Sequence, residues 1–123
     1  MTCVIRSGIY HCVVFVESRS FTQRLTQLAA ASADEVLSGI KCELLRNPER
    51  GRLVQGTGGV RKARTGNPAR QKGTRGGFRY FFLYLERKQH IHLLALLDKG
   101  EQEDISRDER KALKALVDQV KKA

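Results

Sequence analysis

Two apolar runs near the C-terminal half of this 123-residue chain restrict its fold more than any other feature. One covers Phe78 to Leu85 and the other Ile91 to Leu97, and both are dense in aromatic or aliphatic side chains. The polar quartet Glu86-Arg87-Lys88-Gln89 separates them by the spacing of a hairpin loop. Two such strands need further partners. Val13-Val14-Phe15-Val16 reads as another short strand, and a fourth is expected around Val60 to Arg64.

Helical patterns flank these strands. Ser20 and Gln23 have capping-box spacing ahead of Leu25 and Leu28, with Phe21 on the same face. Ser32 and Glu35 repeat the signal before Val36, Leu37, Ile40 and Leu44, and Asn47-Pro48 ends the second helix. Ser106 and Glu109 open a last helix carrying Leu113, Leu116, Val117 and Val120. The predicted order is β-α-α-β-β-β-α: an α+β domain in which a small antiparallel sheet carries an N-terminal α-hairpin and a C-terminal helix. The length fits one domain over 1–123, with residues 1–12 read as a leader or flexible extension.

Charge is concentrated in the middle of the chain. Residues 1–45 hold four basic and four acidic side chains, and residues 80–123 hold nine and eight. Residues 46–79 hold ten basic side chains and a single acid, Glu49. A solvated helix face balances its signs; a segment like this one calls for an anionic partner. Within it, residues 65–77 are too rich in glycine and proline for regular structure and read as a cationic loop. Glycines let backbone approach a phosphate while Arg70, Lys72 and Arg75 supply charge, which suits a nucleic-acid backbone.

Other chemistries find little support. No apolar run is long enough to span a membrane, and the N-terminus lacks the pattern of a secretory signal, so a cytoplasmic location is expected. Cys3, Cys12 and Cys42 form no Cys-x-x-Cys pair and read as free thiols. His90 and His92 share a strand face without a third ligand beside them, so no metal is assigned. The acids Glu101, Glu103 and Asp104 read as a solvated turn, and no Gly-Lys dipeptide exists for a nucleotide-binding loop.

Four stretches taken together resemble the HigB branch of the RelE-like toxins of bacterial type II toxin-antitoxin systems. They are Gly56-Thr57-Gly58-Gly59-Val60-Arg61-Lys62-Ala63-Arg64, Lys72 to Arg79, Leu93-Leu94 through Asp98-Lys99, and Glu103-Asp104-Ile105-Ser106, and the likeness spans Val14 to Val120. The resemblance implies a small α+β toxin of the RelE/ParE superfamily that inhibits translation. Its activity would be ribosome-dependent cleavage of messenger RNA, by attack of a ribose 2′-hydroxyl on the adjacent phosphate, without metal or cofactor. It also implies two partners: an antitoxin, often a helix-turn-helix protein from the adjacent gene, and the ribosome with its mRNA.

Carried onto this chain, the resemblance places the catalytic set at Arg61, Lys62, Arg64, Lys72, Arg75, Arg79 and Lys99. The guanidinium groups stay protonated and would hold phosphate and transition-state charge. A lysine is the better proton acceptor, and cationic crowding favours a neutral amine, which points to Lys62 or Lys72. Arg52, Arg70 and Tyr84 are candidate RNA contacts, and Tyr80 is weighed as a stacking residue against packing in the core. Leu97 and Thr65 stand where relatives often carry tyrosine and tryptophan. These departures keep two alternatives open: a non-catalytic RNA- or antitoxin-binding relative, and a gyrase inhibitor.

Overall fold

The computed structural model describes residues 2–6, 9–66, 77–98 and 106–122, with the backbone alone for 2–6 and 9–12. Strands β1 (Thr2–Arg6) and β2 (Ile9–Glu17) come first, followed by helix α1 (Arg19–Ala29) and, after a 3-10 turn at Ala30–Ser32, helix α2 (Ala33–Arg46). Then come β3 (Arg52–Leu53), β4 (Arg61–Thr65), β5 (Phe78–Leu85), β6 (His90–Asp98) and helix α3 (Arg107–Lys122). The six strands form one sheet in the order β1-β2-β6-β5-β4-β3. All neighbours are antiparallel except β2 and β6, which run parallel from Val14 opposite His90 to Glu17 opposite Leu93. The α+β order read from the sequence is present, with two additions. Residues 2–6 and 9–12, expected as a leader, have the backbone of paired strands, and the two-residue β3 lies beyond β4 at the opposite edge.

Both faces of the central strands are covered, which explains why β5 and β6 read as near-continuous apolar runs and not as alternating ones. On one face, Phe21 and Leu25 of α1 and Val36, Ile40 and Leu44 of α2 pack on Ala63, Phe78, Tyr80, Phe82, Ile91, Leu93 and Leu96. On the other, Leu113 and Val117 of α3 close over Phe81, Leu83 and Leu94, with Val54 and Val60 alongside. These are termed the hairpin face and the α3 face. Ser106 caps α3 as expected: its Oγ accepts from the Glu109 amide at 3.2 Å. The Glu109 carboxylate reaches back to the Ser106 amide at 3.4 Å.

A bulge sets the register of the sheet. Phe81 lies opposite Ala95 but Phe82 lies opposite Leu93, so Leu94 is an extra residue in β6. Its displaced carbonyl accepts from Ser18 Oγ at 2.9 Å, while the Ser18 amide donates to the Leu93 carbonyl at 2.9 Å. The same hydroxyl caps α1, accepting from the Phe21 amide at 3.1 Å. Helix α1 therefore starts two residues earlier than Ser20 suggested, because Ser18 serves the bulge and the helix at once.

Replacing Ser18 with alanine removes both the cap and the partner of the Leu94 carbonyl. A loss of about 1–2 kcal/mol is expected, seen as a lower urea midpoint with an unchanged slope.

Candidate nucleic-acid interface

The register of β3, β4, β5 and β6 decides which of the basic residues meet. Arg52 lies opposite Lys62, Lys62 opposite Phe81, and Phe81 opposite Ala95, so these four share a face. Two residues further along, Arg64 lies opposite Arg79 and Arg79 opposite Leu97. Phe81 is buried beneath α3, which identifies the shared surface as the α3 face. Four cations thus occupy two adjacent rows, with about 4.8 Å between strands and about 7 Å between rows. Arg52 and Arg64 are exposed, and Lys62 and Arg79 are half-buried.

Direct opposition of Arg64 and Arg79 costs stability in a bare sheet, because like charges meet across the ladder. An anion lying across the pair reverses that cost, and a phosphate accepts bidentate hydrogen bonds from a guanidinium. The β4–β5 ladder ends one rung beyond this row, at Thr65 opposite Phe78. Residues 67–76 run between Gly66 and Gly77, and these two glycines are pressed together: a Cβ on Gly77 would collide with the Thr65 carbonyl. Arg70, Lys72 and Arg75 fall in that segment, and Lys99 follows Asp98; all four lie outside the described residues.

Strand alternation separates Arg61 from the cluster. Arg61 lies opposite Phe82 on the hairpin face, where its Nη1 donates to the Glu49 carbonyl at 2.7 Å and the Gly51 carbonyl at 3.5 Å. It holds the loop between α2 and β3 against β4. Gly51 is required at this contact: its φ is +81°, and a Cβ there would strike the Lys62 carbonyl. Arg50 is engaged as well, in an ion pair with Glu43 at 2.9 Å.

The two tyrosines weighed as stacking residues lie elsewhere. Tyr80 is fully buried on the hairpin face, and its hydroxyl donates to Glu43 Oε1 at 3.0 Å. Burial foremost, and then the Glu43 charge, push its hydroxyl well above the usual tyrosine range. Tyr84 also faces the α-hairpin, accepts from Gln89 Nε2 at 3.2 Å, and lies five residues, about 17 Å, along β5 from Arg79. Thr65 is buried with its Oγ1 donating to Glu43 Oε2 at 3.0 Å, so this position serves the core.

Glu43 is the residue of this region that sequence reasoning missed. Its signal was position: 43 falls on the stripe of α2 that includes Val36, Ile40 and Leu44, all buried. His90 and His92, with ring centroids 6.1 Å apart, line a groove with Val16, Leu85, Leu116 and Val120 at the opposite end of the sheet from the arginines. Burial, with His90 and Lys88 nearby, lowers the His92 pKa. Among the described residues no three His, Cys, Asp or Glu side chains come close enough to hold a metal, and no helix is long and apolar enough to cross a membrane.

No protein-family model matches the chain. Among solved structures, it resembles a free double-arginine mutant of the E. coli toxin RelE, with a TM-score of 0.56 at 13% identity over 87% of this chain and 98% of that one. The isolated E. coli RelE toxin matches with a TM-score of 0.52 at 13% identity, over 85% and 99% of the two chains. A chain of the intact E. coli RelBE toxin-antitoxin complex matches with a TM-score of 0.50 at 14% identity, over 74% and 100%. The fold is RelE-like.

The raised Tyr80 pKa has a definite sign in stability. Below the ordinary value of 10.0 both folded and unfolded chains keep the proton; above it the unfolded chain ionises first, so stability falls as pH rises. Tyr80→Phe is expected to lower stability at neutral pH by about 1–3 kcal/mol. It should also flatten the decline between about pH 9 and 11, measured by urea unfolding at each pH.

Proposed function

We propose that the chain is the toxin of a toxin-antitoxin pair, of the HigB branch, and that it cleaves messenger RNA without a metal. The observation carrying this reading is the Arg64–Arg79 row on a half-open sheet face, with Lys62 and Arg52 in the next row. The RelE-like fold supports it, as does the sequence resemblance over Gly56 to Arg64 and Lys72 to Arg79. An antitoxin is the partner that this reading brings, consistent with the RelBE complex among the structural neighbours. The ribosome and its mRNA come with the resemblance to ribosome-dependent toxins.

In the proposed reaction a ribose 2′-oxygen bonds to the neighbouring phosphorus as the bond from phosphorus to the 5′-oxygen breaks. The products are a 2′,3′-cyclic phosphate and a free 5′-hydroxyl. The 2′-hydroxyl proton passes to a base and the departing 5′-oxygen receives one. Negative charge gathers on the phosphoryl oxygens in the transition state, and fixed guanidinium groups stabilise it. Arg64 and Arg79 fill that role, and holding the attacking and leaving oxygens in line supplies much of the rest. Lys62 stands in the adjacent row as a base candidate, while Arg52 extends the phosphate track. Arg70, Lys72 and Arg75 belong to the segment that joins β4 to β5 in the sequence, and Lys99 follows β6; the proposed reading counts them in the site on the sequence resemblance. Arg61 leaves the proposed catalytic set for a structural place, and Tyr84 leaves the proposed RNA contacts.

A second reading, an RNA- or antitoxin-binding relative without catalysis, draws on Leu97. The residue directly opposite Arg79 is aliphatic and offers neither a hydroxyl nor an aromatic ring.

Mapping mRNA 5′ ends after brief induction in cells separates these readings. The parent should cut translated messages at in-frame positions. Arg64→Ala, Arg79→Ala and the double change Lys72→Ala, Arg75→Ala should each reduce cutting on the order of 10²–10³-fold while remaining folded. Growth arrest without cuts favours binding or gyrase inhibition. In parallel, removing Arg64 or Arg79 should lower the slope of log affinity for single-stranded RNA against log salt by about 0.7 per lost phosphate contact.

A further inference from the structure

We propose that Glu43, with Arg50, positions the Arg64–Arg79 pair from the opposite face of the sheet; the inference rests on the reading of that pair as the RNA site. One carboxylate collects three donors. Glu43 Oε2 accepts from Thr65 Oγ1 at 3.0 Å, and Oε1 accepts from the Tyr80 hydroxyl at 3.0 Å and pairs with Arg50 Nη1 at 2.9 Å. Arg50 Nη2 in turn donates to the Arg64 carbonyl at 3.2 Å. Thr65 and Tyr80 are the residues immediately after Arg64 and Arg79. A single side chain of α2 therefore grips the position next to each arginine, and its ion-pair partner grips the Arg64 backbone.

The location explains the need. Arg64 and Arg79 lie one rung from the end of the β4–β5 ladder, which closes at Thr65 opposite Phe78. Ladder ends fray, and two opposed guanidinium groups add a repulsion that would spread the strands. Hydrogen bonds from the far face resist both. Packing alone does not call for an acid here, since an apolar side chain of similar volume fills such a place with less loss of hydration. The Glu43 and Arg50 side chains keep 24% and 29% of their exposure, so the pair is withdrawn from water but not sealed. A carboxylate contributes direction: it fixes where the Thr65 hydroxyl, the Tyr80 hydroxyl and the Arg50 fork point, and with them the backbone that aims the arginines.

Glu43→Gln keeps the volume and removes the charge, and Arg50→Met removes the fork from a half-exposed site outside the core. Two readouts separate positioning from simple support: the cutting of ribosome-bound mRNA, resolved into kcat and KM, and the Nε–Hε NMR signals of Arg64 and Arg79. Arg24, whose Nε donates to the Leu96 carbonyl at 3.3 Å on the hairpin face, serves as the internal control. The expected result is a kcat lower on the order of tenfold to a hundredfold with KM within about twofold, the pattern of misplaced catalytic groups. The Arg64 and Arg79 signals should move and the Arg24 signal stay. Folded variants that cut at the parent rate with unmoved arginine signals overturn the proposal. Should the parent not cut RNA at all, the ribonuclease reading fails by itself, and the arginine signals alone decide this inference: shifted in the variants they support it, unshifted they overturn it. Should Glu43→Gln not fold, Arg50→Met carries the same readouts.

Discussion

Strand β5 is the constraint on which the rest of the molecule depends. Its eight residues face the α-hairpin at Phe78, Tyr80 and Phe82 and face α3 at Phe81 and Leu83, so the strand is enclosed between two helical layers. Burial of that much aromatic surface is the dominant source of cohesion in a domain of this size. Arg79 is the one charged residue in the strand, half-buried on the α3 face between Phe78 and Tyr80, which are buried on the opposite face. The strand that anchors both cores therefore also carries one half of the basic row, and α3 is held on the sheet in part by Lys121, which donates to the Gly58 carbonyl at 2.8 Å.

Much of this arrangement is legible in the chain and some is not. The β5–β6 hairpin announces itself because a strand covered on both sides carries apolar side chains at successive positions. The start of α3 is equally plain, since the Ser106 and Glu109 bonds are local and need no tertiary contact. The parallel pairing of β2 with β6 is not written in either strand, because pairing direction depends on where α1 and α2 send the chain. The Leu94 bulge is silent for a similar reason: its carbonyl finds a partner in Ser18, 76 residues away. Ser18 also explains why the helix start was displaced from Ser20.

Within the basic segment, the sequence offers charges and the sheet sorts them by parity. Ala63 and Thr65 are buried under the α-hairpin, so Arg61, which shares their face, is directed away from Lys62 and Arg64. Arg61 and Arg50 are consumed by the loop that joins α2 to β3, through the Glu49 and Gly51 carbonyls and the Glu43 carboxylate. Net charge could not distinguish these two arginines from Arg64 and Arg79. Strand alternation could have done so for Arg61, given the buried neighbours. Arg50 required the helix stripe that brings Glu43 beneath the sheet.

The sheet thus separates two electrostatic environments by one backbone thickness. On the α3 face, Arg64 stands directly opposite Arg79, and like charges so placed repel. On the hairpin face, a half-buried carboxylate is matched by one guanidinium and two hydroxyls and is complete without any ligand. The complete side can be rigid because its partners all belong to the chain, and rigidity there transfers to Arg64 and Arg79 through the adjoining residues Thr65 and Tyr80. A site whose work is to hold a phosphate in line gains most from groups that do not have to move when charge develops. Setting Arg64 directly opposite Arg79 is compatible with such rigidity when the restraint comes from behind, from the groups gathered on the hairpin face.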